Sequence, residues 1–108
     1  MTEEPEVSVR DNVELHRFEV LLGGGVAGFA AYERHPGVVA IVHTEVDPAF
    51  EGRGLGSVLV KGALDRIRAE GSALLPFCPF TKAYVGRHRE YLDLVPVGER
   101  ERFGLPSD

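Results

Sequence analysis

Apolar and polar positions alternate through residues 13–22, where Val13, Leu15, Phe18, Val20 and Leu22 are apolar, and the run then meets the triplet Gly23, Gly24 and Gly25. Glycines between two apolar runs predict a hairpin, because glycine supplies the positive φ that a tight turn needs. The preceding VSVR (7–10) reads as a short strand, with Asp11 and Asn12 as the turn after it, and VAGFAAYE (26–33) as the returning strand. His35, Pro36 and Gly37 form a second turn. VVAIVHTEV (38–46) is β-branched through most of its length and predicts a strand covered on both faces. The first half is therefore expected to be an antiparallel meander.

From Gly54 to Glu70 the period changes: Leu59, Val60, Ala63, Leu64 and Ile67 share one face at helical spacing, and Lys61, Asp65 and Arg68 the other. That stripe is core, and Gly71 is the expected stop. ALLPF (73–77) is a short buried strand, and a strand that follows a helix from the preceding strand predicts a parallel crossover. Residues 81–88 predict a second short helix, followed by the apolar cluster YLDLV (91–95). The fold class is α/β (α+β): a meander, then β-α-β with a parallel strand pair. One domain fills residues 1–108, with 1–6 and 99–108 expected to fray.

Composition narrows the function classes. Of the 108 residues, 44% are hydrophobic and 27% charged, which is ordinary globular material, and no apolar run reaches the roughly 20 residues of a membrane helix. The acidic start MTEEPEVSVR lacks the basic and then apolar order of a secretory signal, so a cytoplasmic protein is expected. A formal net charge of −5 argues against a nucleic-acid partner. The single cysteine, Cys78, excludes an internal disulfide, and the four scattered histidines offer no metal-ligand spacing. No membrane partner is expected, and either a monomer or a weak homodimer suits the short strand edges.

The stretch VDPAFEGRGLGSVLV (46–60) carries the candidate chemistry. Glycines at 52, 54 and 56 stand where a strand gives way to a helix, so backbone N–H groups and the helix dipole are available to an anion. A tighter turn and close helix packing are the plainer use of the same glycines. Two phosphate motifs fail. The dinucleotide fingerprint needs glycine at 57 or 59, which are Ser57 and Leu59, and a Walker loop needs a lysine that is missing after Gly56.

What remains, an Asp-Pro turn and then G-R-G-L-G-S, resembles the acetyl-coenzyme A motif of the GNAT acetyltransferase superfamily, falling here on Glu51, Gly52, Arg53, Gly54, Leu55 and Gly56. Glu51 departs from the Arg or Gln usual at the first position, so no side-chain role is carried over to it. HTEV (43–46), the glycine turn, PFCPF (76–80) and YVGRHREYLDLV (84–95) further resemble a small branch of that superfamily of about this length. The resemblance implies acetyl-CoA (coenzyme A) as cofactor, held by Val46, Arg53, Gly54, Leu55, Gly56, Ser57 and Val58. It also implies strands 38–46 and 73–77 splaying apart to admit the pantetheine arm, with Val46 near the thioester. Larger relatives place two helices between their first two strands; only Asp11 and Asn12 stand there in this chain, so an open acceptor side is expected.

Transfer to an amine needs the amine neutral, and His43 and Glu45, two residues apart on one strand face, are the nearest bases. Each is equally a solvated or sheet-bonded strand residue. Cys78 follows the strand lining the cleft, and three roles stay open for it: a packing thiol, an acyl acceptor, or the site of a mixed disulfide with coenzyme A. Tyr84 stands about where relatives keep a tyrosine that protonates the departing thiolate, and is equally a packing tyrosine. Two functions follow. The first is an acetyl-CoA-dependent N-acetyltransferase (a transferase, an acyltransferase) acting on a small-molecule or protein amine; the second is a coenzyme A-binding module with little or no turnover.

Overall fold

The computed structural model describes residues 6–107. Five strands, β1 (Val7–Asn12), β2 (Arg17–Leu22), β3 (Gly25–His35), β4 (Val38–Val46) and β5 (Ala73–Pro76), form one sheet in chain order. The first four pair antiparallel, and β5 pairs parallel to β4 after the crossover helix α1 (Leu55–Ala69). Helix α2 (Pro79–Arg87), a 3-10 segment Arg89–Leu94 and the short helix α3 (Val97–Arg100) follow. The mixed sheet with its parallel β4–β5 pair is the expected fold class.

The core lies between the sheet and α1. Phe18, Val20, Ala30, Tyr32, Val39, Ile41 and Leu74 meet Leu59, Val60, Ala63, Leu64 and Ile67, all buried. The helical stripe read from the sequence is thus the buried face of α1. Burying each of the Val, Leu, Ile and Phe side chains among these core residues stabilises by about 1.5–3 kcal/mol before chain entropy opposes it.

Three local expectations are corrected. Asp11 and Asn12 are strand residues, paired with Phe18 and Arg17, and the turn is residues 13–16. Asn12 Oδ1 accepts from the Leu15 amide, and His16 takes a left-handed φ of 54°, so Val13 and Leu15 sit in the turn, exposed, rather than in a strand. Strand β4 is covered only at Val39, Ala40 and Ile41, because β5 ends opposite Ile41. Residues 99–107, charged enough to read as a frayed tail, pack against the body through buried Arg100, Phe103 and Leu105. Arg100 donates to the Val95 and Ser107 carbonyls, and the Phe103 ring meets Phe77 edge-on. Residues 1–5 and 108 lie outside the described residues.

Candidate active site

Two features end the β4–β5 ladder at the same level. Strand β4 carries an extra residue, Val42, opposite the Ala31–Tyr32 step of β3, and such a bulge bends the strand and raises its twist. On β5 the Ala73 amide donates to Gly37, so alternation turns the Phe77 amide toward β4 as well, but that amide bonds back to the Leu75 carbonyl at 3.1 Å instead. The final bond across the pair runs from the Cys78 amide to the Ile41 carbonyl, 2.9 Å. Beyond it residues 42–46 have no partner on the β5 side, leaving about 16 Å of open strand edge at roughly 3.3 Å per residue. The Asp47 amide donates to Ala27 of β3, and backbone groups alternate sides along a strand, so those of Thr44 and Val46 face the gap.

The open edge leads to the start of α1. Gly54 is its N-cap with φ 72°, a left-handed conformation that an L side chain rarely adopts, and no side chain caps the helix. The Val58 amide is taken by the Gly54 carbonyl at 3.2 Å, whereas no described residue accepts from the amides of Gly54, Leu55, Gly56 and Ser57. Val58 is therefore the one expected binding residue whose N–H is already used. The Arg53 guanidinium lies 5.8 Å from the Phe50 ring centre, and Ser57 is exposed. The Phe80 ring packs on Gly56, where an added Cβ would stand 2.8 Å from its tip.

Cys78 caps the start of α2 at the closed end of the gap and is buried. Its Sγ lies 3.2 Å from Thr44 Oγ1. Burial pushes the thiol up, but the hydrogen bond to the Thr44 hydroxyl, together with the nearby Thr81 and Phe80 amides and more weakly the Thr81 hydroxyl, favours the thiolate and holds it below the ordinary cysteine value. Thr81 Oγ1 is fully buried and reaches no partner at bonding distance, so its acting on the sulfur at longer range is its one polar outlet. Neither threonine stands out in the sequence. Thr44 was findable as the residue between His43 and Glu45, whose side chain must point to the opposite face.

His43 and Glu45 do share a face, the one turned away from α1, with His43 Nε2 3.3 Å from Glu45 Oε1 and both side chains exposed. A cleft of about 520 Å³ opens beside them, lined by Arg17, Gly28, Phe29, Glu45, Val46 and Asp47 among others. Tyr84 is not gathered with this group. Its ring stacks on His88 at 4.0 Å and faces Tyr91, and burial pushes its hydroxyl up.

The floor of that face is charged. Glu19, 1% exposed, accepts from Arg10 Nε at 2.7 Å, Arg17 Nε at 2.7 Å and Asn12 at 3.2 Å. Burial alone would raise its carboxyl; the three donors outweigh burial and lower it. A depressed folded value means a contribution fully present above the unfolded pKa of about 4.3 and lost as pH falls through the folded value. Glu19→Gln is accordingly expected to lower stability at pH 7 by about 2 kcal/mol, held down because Arg10 is half in water. Urea melts from pH 7 to 3 should show the difference from wild type shrinking below about pH 4.3.

A family model described as GCN5-related N-acetyl-transferase matches residues 17–94. The chain belongs to the GCN5-related N-acetyltransferase family. The matched span takes in β2 to β5, the glycine turn, Cys78 and α2; β1 and the segment after Leu94 lie outside it. Among solved structures the chain is similar to the ribosomal-protein-S18-alanine N-acetyltransferase from Escherichia coli, at 27% identity and a TM-score of 0.50. That likeness covers 54% of this chain and 38% of the other, so the chain spans well under half the length of its neighbour. A comparison with curated proteins gave no match. As a member of the family, the chain has N-acetyltransferase ancestry and fold, and among the described residues no helix is long and apolar enough to cross a membrane.

Proposed function

We propose that this chain is an acetyl-CoA-dependent N-acetyltransferase acting on an exposed amine. The observation that carries the reading is the open edge of β4 running into four unengaged amides at the start of α1. A diphosphate suits those amides and the positive end of the helix dipole, with the Ser57 hydroxyl and Arg53 alongside. An extended, amide-bearing arm suits the backbone groups of Thr44 and Val46, which otherwise lack partners on that side. Acetyl-CoA, when bound, supplies an acyl group activated as a thioester.

The chain's own residues do the rest. The closed end of the gap, at Ile41 and Cys78, limits how far an arm can enter, so the reacting end belongs beside Thr44 and Cys78 rather than at the mouth by Val46. Thr44 holds the Cys78 sulfur in place there, with a proton readily lost, as a nucleophile or a proton donor must be held. The amine arrives from the opposite face, where Glu45, oriented by His43, accepts its proton. The sulfur and the base thus serve the same reacting centre from two faces of one strand.

Calorimetry with acetyl-CoA, followed by thiol release over a panel of amines, tests the reading. Binding is expected to stabilise the fold by about 2.7 kcal/mol at a hundredfold excess over Kd, and thiol release is expected to depend on the amine. Absence of binding would sink the proposal. Tight binding with no amine-dependent release would leave the coenzyme A-binding module in its place.

A further inference from the structure

The cleft beside Glu45 contains a cation that the transfer chemistry does not call for. Arg17 is anchored through Nε to the buried Glu19, and its guanidinium carbon lies 4.6 Å from the centre of the Phe29 ring. Its two terminal nitrogens bond to no described residue. Arg10 binds the other oxygen of Glu19, so two guanidiniums share one carboxylate and one positive charge is left over. Both the position and the charge of Arg17 are fixed before any ligand arrives. A planar fork held in this way is the usual partner of a carboxylate.

The opposite wall has the opposite sign. Glu45 is the direct cross-strand partner of Phe29 and lines the same cleft, with Asp47 beyond it. Phe29 therefore carries the Arg17 guanidinium over its ring and has Glu45 as its neighbour on β4, one strand spacing of about 4.8 Å away. A simple cation would find Arg17 repulsive, and a simple anion would find Glu45 and Asp47 repulsive. A molecule carrying an amine at one end and a carboxylate at the other satisfies both walls and delivers its amine to the base.

We infer that the acceptor is a small amino-carboxylate, of the free amino-acid class, whose carboxylate is bound by Arg17 while its amine faces Glu45. Arg17 acts as the specificity residue, Glu19 as the group that positions it, and Phe29 as the surface both rest on. A volume of about 520 Å³ takes one such molecule with its side chain. The inference rests on the transferase reading above and adds the substrate class to it.

The test compares glycine, alanine and phenylalanine with their carboxamides and with the corresponding decarboxylated amines, measuring acetyl-CoA-dependent thiol release by the intact chain. Carboxamides have the more readily neutral amine, so the intrinsic bias runs against the proposal. The free acids are expected to have a kcat/KM at least about tenfold higher, the worth of one charge-assisted hydrogen bond, with the difference in KM. Arg17→Met should remove that preference, bringing the ratio of kcat/KM for free acid over carboxamide to about one; because it also strips a partner from Glu19, the wild-type comparison stands as the primary result. Equal or better use of the carboxamides or decarboxylated amines, with acetyl-CoA turned over, overturns the amino-carboxylate inference alone. No acetyl-CoA binding, or binding without release by any amine, overturns this inference and the transferase reading together.

Discussion

Gly28→Ala is expected to lower stability by about 2–3 kcal/mol and to weaken acetyl-CoA binding at least tenfold, as overpacking of a tight contact does. An added Cβ would stand 2.7 Å from the Glu45 carbonyl oxygen, 3.2 Å from the Val46 Cα and 3.3 Å from a Val20 methyl. Two of those three are backbone, so the methyl is accommodated only by moving β4. The segment displaced is the one whose Thr44 and Val46 groups border the gap and whose Glu45 lines the cleft. Thermal melts should show a midpoint about 10 °C or more lower, at roughly 4–8 °C per kcal/mol for a chain near this size. Gly25→Ala is the control: its nearest neighbour would be the Leu22 carbonyl at 3.8 Å, ordinary contact. If Gly28→Ala melts and binds like wild type, β4 is not fixed by its approach to β3.

The second large effect falls on turnover alone. Glu45→Gln is expected to reduce kcat/KM by about a hundredfold, the low end of what a positioned base contributes, while acetyl-CoA affinity stays within about twofold. Its side chain is exposed and bonds only to His43, so stability should change by less than about 0.5 kcal/mol. The deficit should shrink as pH rises, because more of the amine is neutral before it binds and less is asked of the base. A pH series of thiol release with one fixed amine reads both the loss and its recovery. Full activity across the range would place proton removal elsewhere.

Much of this was legible in the chain itself, for identifiable reasons. The stripe Leu59 to Ile67 has one meaning at a 3.6-residue period, and the crossover of β4, α1 and β5 follows from handedness and connection length. The glycine turn was legible because both its readings, backbone conformation and anion binding, need residues without side chains. The first turn was misplaced because Val13 and Leu15 keep the alternation going past the end of the strand. Alternation reports what side chains prefer, and here Asn12 and the left-handed His16 override it.

The site was less legible where it depends on two segments meeting. Thr44 and Thr81 are unremarkable polar residues until the fold places Cys78 between them. Arg17 and Phe29 lie twelve residues apart on different strands, and only the β2–β3 register brings the guanidinium over the ring. The end of the β4–β5 ladder needs both the Val42 bulge and the Phe77 amide turned back on Leu75, and neither carries a signal in sequence. Tyr84 illustrates the opposite case: a residue of the right type near the expected position, whose ring the fold packs against His88 and Tyr91.

The ladder's last bond, from Cys78 to Ile41, divides the molecule by folding history. Strands β1 to β4 close as successive hairpins between chain neighbours, whereas β5 can dock only after the whole of α1 has passed between. Contacts of the first kind are expected to form before those of the second, which must close a longer loop. The gap runs along the seam between an early-closing unit and a late-closing one, so a molecule that bridges it acts as a fastener. Its binding is expected to slow amide exchange in β5 and α2 while changing exchange in the hairpins little.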